Sequence, residues 1–415
     1  MPDPIPTADD RNQARWAHAG FLALNAGSSS LKMALFPAFG RQALITGQVE
    51  RIGPQGHIEL KNQRGEILPP APGSDLGTHA GALASVIATI KQTYPQLRMA
   101  AIGHRVVHGG PDLRAPALVT PELLKKLEAL SPFAPLHQPH NIAGIHAAAE
   151  AFPGVPQVAC FDTAFHRGQP FVNDTFALPI RYYEQGVRRY GFHGLSYEYV
   201  TSELQRVAPN LYAGRVVIAH LGNGASMCAI HDGRSVASSM GFSALDGLPM
   251  GTRCGQIDPG VLLYMLDQEK LNTAQIRQIL YNESGLLGLS GGLSNDMRTL
   301  EQADNAQSHR AIDYFVFRVQ RELGAMAAVM GGIDLLVFCG GIGENSRMIR
   351  RRVCERLGWI GIEIDHGRNA EGATVISSEL ARTTVMIVPT REDLIIARAA
   401  RAAAGVPEDA EHRAA

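Results

Sequence analysis

The sequence has 415 residues, a hydrophobic content of 45%, 43 glycines and a net charge of −1 at pH 7. This length predicts two or three domains with sizeable cores, and the composition is typical of a soluble α/β enzyme. The charge argues against a nucleic-acid partner, and no apolar stretch is long enough to span a membrane. Five cysteines without a CxxC spacing indicate neither a zinc site nor a disulfide framework, and they predict a cytoplasmic protein with reduced thiols.

The beginning and the end of the sequence are polar. The opening stretch, MPDPIPTADDRNQARWAHAG, is acidic and rich in proline and has no apolar core. We therefore expect residues 1–19 to form a disordered leader rather than a signal peptide. We expect the closing stretch, AAAGVPEDAEHRAA, to be a frayed tail.

Two distant stretches of the sequence share one design. Residues 21–36 read FLALNAGSSSLKMALF, and residues 216–230 read VVIAHLGNGASMCAI. Each has two apolar runs joined by Gly, Ser and Asn, which predicts a β-hairpin. Backbone N–H groups and hydroxyls at such a tip suit phosphate oxygens, although a single tip of this kind is usually only a turn. The repeat predicts a duplicated fold that holds a polyphosphate between its halves.

In the first half of the chain, strands and helices alternate. Thr120 followed by Pro121 predicts the start of a helix over 120–130. Residues 131–141, SPFAPLHQPHN, contain too much proline for regular structure. The other predicted elements are strands at 42–49, 57–60, 99–107 and 155–160, a turn at 53–56, and helices within 74–94 and 142–151.

Two polar residues of this half lie near the ends of buried strands. Arg105 stands in GHRVVHGG, next to a glycine turn, and Asp162 stands just beyond the strand predicted at 155–160. In open α/β sheets, ligands bind beyond the carboxyl ends of the strands. The composition changes after these residues, and we place the first domain boundary near residue 165.

The second half of the chain contains two further glycine-rich segments. Residues 238–260 form a long irregular stretch around Arg253, and such long segments are often functional. Residues 337–346, VFCGGIGENS, predict a turn between a strand and a helix at 347–357, with glycines that permit close approach to a nucleotide. The other predicted elements are helices within 261–332, the longest at 309–330, a strand at 385–388 and a closing helix at 392–404.

The polar residues of the irregular segments suit phosphoryl transfer. That reaction needs positive charge, carboxylates for Mg²⁺ and glycine-rich turns more than it needs a nucleophile. Each residue also has an ordinary interpretation, because lone arginines are usually solvated and a carboxylate at the start of a helix often caps it. The histidines at 104, 108, 137 and 140 lie on segments that do not favour a zinc site. The candidates are Arg105, His137, His193 and Arg253 for the phosphoryl group, Asp162 and Glu392 for Mg²⁺, and Lys32 for a phosphate.

Nine motifs, in order and at compatible spacing from about residue 20 to residue 404, closely resemble the acetate kinase (acetokinase) family. The resemblance implies an α/β fold with two duplicated ribonuclease-H-like domains, as in the acetate and sugar kinase/actin/chaperone ATPase superfamily, and an active site in the interdomain cleft. It implies a homodimer. The motifs are LNAGSSSLK (24–32), GHRVVHGG (103–110), APLHQPHN (134–141), FDTAFH (161–166), RRYGFHGLS (188–196), HLGNGAS (220–226), LPMGTRCG (248–255), SNDMR (294–298) and GGIGENS (340–346).

The resemblance also implies domains and a reaction. Domain I would comprise 20–165 with 393–415, whose helix packs back on it, and domain II would comprise 166–392 and bind the nucleotide and the second subunit. The reaction would be reversible, direct in-line phosphoryl transfer from ATP to acetate, giving acetyl phosphate and ADP. It would require Mg²⁺, for which Mn²⁺ could substitute.

Site residues follow from the positions that match the family's motifs. Asp162, His193, Arg253, Arg105 and His137 would be catalytic, and Arg105, Val107, Leu136, Phe192 and Ala244 would bind the acyl substrate. Asn25 and Glu392 would hold the metal. The nucleotide would contact Lys32, His220, Leu221, Gly222, Asn223, Gly224, Asp296, Met297, Arg298, Gly341, Ile342, Gly343, Glu344 and Asn345.

The chain departs from the family's pattern in three places. It has LHQPHN where LHNPPN is usual, TRED where TNEE is usual, and SALDGL where TPLEGL is frequent, so that Ala244 replaces a proline of the acyl pocket. Because one methylene is worth only about 1–3 kcal/mol in such pockets, the wider pocket leaves acceptance of propionate open.

Alternatives to acetate kinase activity remain at this stage. A propionate or butyrate kinase is the nearest, although Val107 and the APLH motif favour acetate. An ATP-driven clamp of the actin or chaperone type would not need Arg253, and a purely structural protein would need none of these residues. The sequence does not specify the physiological direction, the nucleotide preference, the role of the leader or the regulation.

Overall fold

The computed structural model describes residues 15–407, which divide into two compact units. Unit 1 comprises the chain up to Ala164 and the chain from Arg391 onward, and unit 2 is Phe165–Thr390. Residues 1–14 of the predicted leader and residues 408–415 of the predicted tail lie outside the described residues. Within 15–19, Trp16 packs its ring against Phe21 and the first strand begins at Ala19.

In unit 1, the described residues form an eight-stranded sheet. The spatial order is β5-β4-β3-β2-β1-β6-β8-β7, with β1, β6 and β8 parallel to one another. The predicted first hairpin is confirmed, because β1 and β2 pair antiparallel with Phe21 opposite Phe36. The strands are β1 Ala19–Ala26, β2 Ser30–Pro37, β3 Ile45–Glu50, β4 His57–Asn62, β5 Ile67–Leu68, β6 Arg98–Val106, β7 Ala117–Leu118 and β8 Gln157–Phe161.

In unit 2, the described residues form a five-stranded sheet of order β11-β10-β9-β12-β13. The predicted second hairpin is also confirmed, because β9 and β10 pair antiparallel with Val216 opposite Ile230. The strands are β9 Arg215–Leu221, β10 Ala225–His231, β11 Arg234–Ser238, β12 Leu335–Cys339 and β13 Thr384–Ile387.

The two sheets share one topology. In unit 1, β3-β2-β1 is an antiparallel meander whose strand β1 continues into the parallel pair β6-β8. In unit 2, β11-β10-β9 is an antiparallel meander whose strand β9 continues into the parallel pair β12-β13. The repeat seen in the two hairpins of the sequence therefore extends to five strands in each unit.

Helices connect the strands in both units. The prediction that Thr120 and Pro121 begin a helix is confirmed, because the Thr120 side chain accepts a hydrogen bond from the N–H of Leu123. The helices of unit 1 are His79–Thr93, Pro121–Ala129, Gln138–Ala151 and Glu392–Ala404. Those of unit 2 are Phe171–Asp174, Ile180–Glu184, Gly194–Val207, Pro209–Tyr212, Pro259–Asp267, Thr273–Gln278, Gly285–Leu289, Met297–Ala303, Ala306–Met330, Gly340–Asn345, Arg347–Cys354 and His366–Glu371.

The core of unit 1 fixes where the helix Glu392–Ala404 begins. This helix packs on β1, β6 and β8, and its Ile396 lies so close to Gly103 of β6 that a Cβ there would be 2.5 Å from the Ile396 side chain. At the other end of the helix, the guanidinium of Arg401 donates hydrogen bonds to the carbonyls of Pro37 and Gly40. The first residue of the helix, Glu392, is thereby held at one end of the sheet.

Two predictions about local structure are wrong. The segment 131–141 is not wholly irregular, because Ser131–Phe133 is a 3₁₀ turn and the next helix already begins at Gln138. Pro139 is accommodated in the first turn of that helix, where the missing N–H has no partner to lose. The glycine-rich turn after β12 is itself a short helix, Gly340–Asn345, which the glycines permit.

No helix within residues 15–407 is both long enough and apolar enough to cross a bilayer.

Candidate active site

Three polar side chains meet at the carboxyl ends of the parallel strands of unit 1. Arg105 lies at the end of β6, Asp162 directly follows β8, and Glu392 opens the last helix. Arg105 donates from Nε to Asp162 Oδ1 at 2.9 Å and from Nη2 to Asp162 Oδ2 at 2.6 Å. Its Nη1 lies 3.6 Å from the carboxylate of Glu392. One guanidinium is therefore held between two carboxylates.

The charge of Arg105 is secured by these neighbours. Burial alone favours the neutral form, but the charges of Asp162 and Glu392 and the hydrogen bonds to Asp162 outweigh it, so that the pKa of Arg105 lies above its usual value. Its side chain keeps 20% of its surface exposed, whereas that of Asp162 keeps 2%. The guanidinium is thus permanently charged and still reachable by an anion.

Asn25 belongs to the same end of the sheet. It follows Leu24, which pairs with His104 across β1 and β6, so Asn25 lies beside Arg105. The buried amide of Asn141 joins these strand ends, since it donates to the carbonyl of Ala26 at 2.8 Å and accepts from the N–H of Val107 at 3.0 Å. Lys32 is exposed on β2 directly opposite Asn25.

The remaining predicted residues of unit 1 lie on two loops beside these strands. Val107 follows β6 and is buried, whereas Leu136 is 36% exposed. His137 stands immediately before the helix Gln138–Ala151. Its neighbour Gln138 is fully buried and bonds both the N–H and the carbonyl of His108, so this departure from the family's motif supports the loop after β6.

In unit 2, His193 has an unusual backbone. It precedes the helix Gly194–Val207 in the left-handed region, at φ +58°. The segment before it is fixed by the buried His166, whose Nε2 bonds the carbonyl of Phe192 at 3.0 Å. Gly191 has φ +71° and touches the same ring, where a Cβ would be 2.6 Å from His166. Phe192 itself is buried.

The imidazole of His193 stacks on that of His220. Their ring centroids are 4.3 Å apart with an interplanar angle of 22°. Each ring has a serine at Nδ1, since His193 lies 2.8 Å from Ser226 and His220 lies 2.8 Å from Ser196. The Nε2 atom of His193 lies over Gly224, where a Cβ would be only 3.2 Å away.

Arg253 lies in the long segment between β11 and the helix Pro259–Asp267. The segment has no helix or strand, as predicted, but hydrogen bonds fix it. Arg253 donates from Nη1 to the carbonyl of Ala244 at 3.1 Å, and its own carbonyl accepts from the N–H of Met250. Backbone bonds to the segment 280–287 join Cys254 to Leu280, Thr252 to Ser284, Met250 to Leu286 and Gly251 to Leu287.

A cleft of about 480 Å³ opens in unit 2 beside the tip of the second hairpin. Residues of three quoted motifs, HLGNGAS, SNDMR and GGIGENS, line this cleft. They include eight of the fourteen residues predicted to bind a nucleotide. Asn295, Glu301 and Ser346 also line the cleft but were not among the residues predicted to bind a nucleotide, although Asn295 and Ser346 stand inside two of the quoted motifs. The predicted residues in the lining are Gly222, Asn223, Asp296, Met297, Arg298, Gly341, Ile342 and Asn345.

The other predicted nucleotide residues of unit 2 lie next to the cleft. Leu221 is buried in the sheet, and Gly224 ends the hairpin loop under His193. The carboxylate of Glu344 accepts hydrogen bonds from the N–H groups of Gly340 and Thr390, so it braces the loop. His220 and Gly343 likewise belong to the elements that border the cleft and not to its lining.

Unit 1 contains oxygen donors that could hold a divalent cation. Within residues 15–407, no group of three or more His, Cys, Asp or Glu side chains could hold a metal by itself. Asn25 and Glu392 offer an amide and a carboxylate oxygen at the same strand ends. Such a pair suits Mg²⁺, which takes one or two carboxylates and completes its shell with substrate phosphates and water.

Comparisons with known proteins identify the family of the chain. The model of the Acetokinase family matches residues 20–398. The acetate kinase of Methylocella silvestris is 56% identical over 388 residues, covering 91% of this chain and 96% of that protein. An acetate kinase of Rhodopseudomonas palustris is 50% identical over 384 residues, covering 91% and 96%.

Two solved kinase structures are similar to this chain over nearly its whole length. The acetate kinase of Porphyromonas gingivalis superposes with a TM-score of 0.83 at 37% identity, covering 92% of this chain and 99% of that one. A propionate kinase of Francisella tularensis superposes with a TM-score of 0.87 at 35% identity, covering 92% and 99%. The predicted α/β fold with two duplicated ribonuclease-H-like domains is confirmed, and the chain belongs to the acetokinase family.

Proposed function

We propose that this chain catalyses reversible phosphoryl transfer from ATP to acetate, giving acetyl phosphate and ADP. The observation that carries the proposal is the doubly bonded pair of the partly exposed Arg105 and the buried Asp162 at the strand ends of unit 1. Family membership supports an ATP-dependent kinase, and the cleft of unit 2 offers glycine turns and amides for its nucleotide. Acetate is the acceptor that the names of the most similar relatives favour.

This reaction requires charge neutralisation and does not require a general base. The carboxylate of acetate is already anionic at pH 7, so no proton has to be removed before it attacks phosphorus. The barrier comes from repulsion between two anions, which fixed cations relieve. Arg105 would bind the carboxylate, and Asp162 would orient Arg105, since both of its oxygens already accept from that guanidinium.

Arg253 and His193 would stabilise the transferring phosphoryl group, with His137 as a further donor. The hydrogen bonds that fix the loop around Arg253, and the pinned backbone of His193, support this role. Preorganised donors of this kind need no rearrangement when charge develops on the equatorial oxygens.

The nucleotide would occupy the cleft of unit 2. Its glycines, Gly222 and Gly341, allow the backbone to approach phosphates, and Asn223, Asn345 and Arg298 offer polar groups. Lys32 of unit 1 would contact a phosphate. Mg²⁺ would be held by Asn25 and Glu392, where it would neutralise charge on the polyphosphate, and Mn²⁺ would substitute for it.

The acyl group would lie against Val107, Leu136, Phe192 and Ala244. Ala244 is smaller than the proline usual in the family, and the carbonyl of Ala244 holds Arg253 at 3.1 Å. A wider pocket lowers discrimination between acids that differ by one methylene, which is worth about 1–3 kcal/mol. Specificity constants of the same order for acetate and propionate would support a widened pocket, and a hundredfold preference for acetate would exclude it.

We further propose that the protein forms a homodimer through unit 2 and that it is cytoplasmic. The helix Pro259–Asp267 leaves Leu263 and Tyr264 60% and 55% exposed, together with the partly exposed Val261 and Leu266. An apolar face of this kind is typical of subunit interfaces. Light scattering should give twice the chain mass, and Tyr264→Glu should shift it toward one chain mass. A monomeric unmodified protein would contradict the dimer.

Acyl-hydroxamate formation tests the activity. The protein is incubated with ATP, Mg²⁺, hydroxylamine and acetate, propionate or butyrate at matched concentrations. Product with acetate supports the kinase, and the ratio among the acids reports the acyl pocket. ATP hydrolysis without any hydroxamate would favour an ATP-driven clamp instead.

A further inference from the structure

A chain of hydrogen bonds lies behind His193 and is not used by the chemistry described above. The hydroxyl of Tyr197 and the hydroxyl of Ser226 are 2.5 Å apart, and Ser226 Oγ is 2.8 Å from Nδ1 of His193. Tyr197 lies one turn into the helix that His193 precedes, and Ser226 lies in β10. Both side chains are completely buried.

The direction of these bonds follows from the number of protons. The hydroxyl of Ser226 has one proton, which it can give either to His193 or to Tyr197. Among the described residues, Ser226 is the hydrogen-bond partner of the Tyr197 hydroxyl. If Ser226 donated to Tyr197, the phenolic proton would be buried without an acceptor, which costs more than any bond it could replace. Tyr197 therefore donates to Ser226, and Ser226 donates to Nδ1 of His193.

The phenol also keeps its proton under working conditions. Burial raises the pKa of Tyr197 well above its usual value, because the phenolate would be desolvated. The relay thus starts from a permanent donor. Since Nδ1 of a neutral imidazole that accepts a hydrogen bond has no proton, the ring proton must be on Nε2.

We propose that Tyr197 and Ser226 are positioning residues that hold His193 in the tautomer with its proton on Nε2. This inference rests on the proposed function for its kinetic consequence, because a donor at Nε2 is what an anionic phosphoryl group requires. In the opposite tautomer, Nε2 would present a lone pair to that anion. The fixed relay therefore removes a neutral state of His193 that would repel the substrate.

The surroundings of Nε2 agree with this role. It faces the hairpin loop at Gly224, where the missing side chain lets the ring approach the loop, since a Cβ there would be 3.2 Å from Nε2. His220, which stacks on His193, is oriented independently by Ser196, so the Tyr197–Ser226 relay acts on one ring of the pair. A change in the relay should therefore alter the donor at one position without removing the stacking.

Nitrogen-15 NMR of the full chain labelled at histidine tests the tautomer without substrates. The signal of His193 is identified by its loss in His193→Asn. We expect the unmodified protein to show the Nε2–H form, and Tyr197→Phe and Ser226→Ala to show a mixture of tautomers. Tyr190→Phe is the matched control, since Tyr190 is equally buried but its hydroxyl donates to the carbonyl of Gly186.

Kinetics of the same variants give a second readout. Tyr197→Phe and Ser226→Ala should lower kcat about tenfold with little change in the KM for ATP, whereas Tyr190→Phe should leave both unchanged. An Nδ1–H form in the unmodified protein, or an unchanged tautomer in both variants, would overturn the inference. Altered tautomers with an unchanged kcat would support the relay and remove His193 from the proposed mechanism.

Discussion

Asp162 accepts two parallel hydrogen bonds from Arg105, at 2.9 Å from Nε and 2.6 Å from Nη2. Planar, two-point pairing fixes the plane of the guanidinium as well as its position. The remaining nitrogen, Nη1, points toward Glu392. The orientation of Arg105 is thus set by a carboxylate that is itself almost inaccessible, so the arginine is positioned before any substrate arrives.

Asp162→Asn should damage binding of acetate. The amide offers one acceptor oxygen and no charge. Arg105 therefore loses the two-point pairing and the negative charge that balances its own. We expect the KM for acetate to rise at least about tenfold and kcat to fall as well, since a bond between charged groups is worth about 1.5–3 kcal/mol. Steady-state kinetics with acetate as the varied substrate measure this.

Asp334→Asn is the control for that variant. Asp334 accepts the same two-point pairing from Arg215, at 3.0 and 2.7 Å, and both side chains are more than a third exposed. Its loss should leave the kinetics unchanged. Equal effects of the two substitutions, or an unchanged KM in Asp162→Asn, would contradict the role of the Arg105–Asp162 pair.

Arg253→Ala should lower kcat by about two to three orders of magnitude, because a fixed cation at the transferring group contributes several kcal/mol. The substitution removes the bond from Nη1 to the carbonyl of Ala244, but the loop should keep its shape because its backbone–backbone bonds remain. Arg206→Ala, which removes an exposed arginine paired with Glu203, should have no effect. Turnover within twofold of normal in Arg253→Ala would remove this residue from the mechanism.

Substitutions at two neighbouring glycines should distinguish a loss of ATP binding from a loss of stability. Gly341 lines the cleft, and a Cβ there meets no atom within 4 Å, so Gly341→Val should preserve stability and raise the KM for ATP about tenfold. Gly340 has φ +75°, and a Cβ there would be 2.7 Å from the carbonyl oxygen of Leu221, so Gly340→Ala should lower the Tm. Thermal unfolding and ATP kinetics on both variants check this. The reverse pattern would exclude the cleft as the nucleotide site.

Acid should destabilise the protein through two buried histidines. Burial lowers the pKa of both His104 and His166 to about 4, opposed in part by hydrogen bonds to Gln157 and Phe192. The unfolded chain binds these protons near pH 6.5, so stability is complete above that pH and is lost as the pH falls toward 4. Each histidine should contribute a slope of about 1.4 kcal/mol per pH unit in that range.

Urea unfolding at intervals between pH 7 and pH 4.5 measures that slope. His104→Gln keeps a polar partner for Gln157 and removes one titrating group, so it should reduce the slope by about half. An identical slope in the variant would show that His104 is not responsible.

The parts of the fold that depend on local pattern could be predicted from the sequence. The two hairpins, the helix cap at Thr120 and the closing helix Glu392–Ala404 follow from turn residues and hydrophobic periodicity. The helix start at Gln138 could not, because the prolines around it suggest a loop and only the buried bonds of Gln138 to His108 show why a helix forms there.

The candidate site divides in the same way. Residues inside glycine-rich motifs, such as Asn223 and Gly341, could be identified because the motif itself suggests a phosphate. The supporting residues could not. Asn141, His166 and Ser226 each bond two groups that are distant in the sequence, and the motifs in which they stand do not specify those partners.

Phosphorus-31 NMR of the protein with ATP, Mg²⁺ and acetate observes the transfer most directly. Direct transfer to acetate predicts an acyl phosphate resonance that grows in step with ADP, one for one, and only when acetate is present. Release of inorganic phosphate and ADP at a rate that does not depend on acetate, with no acyl phosphate, would contradict it.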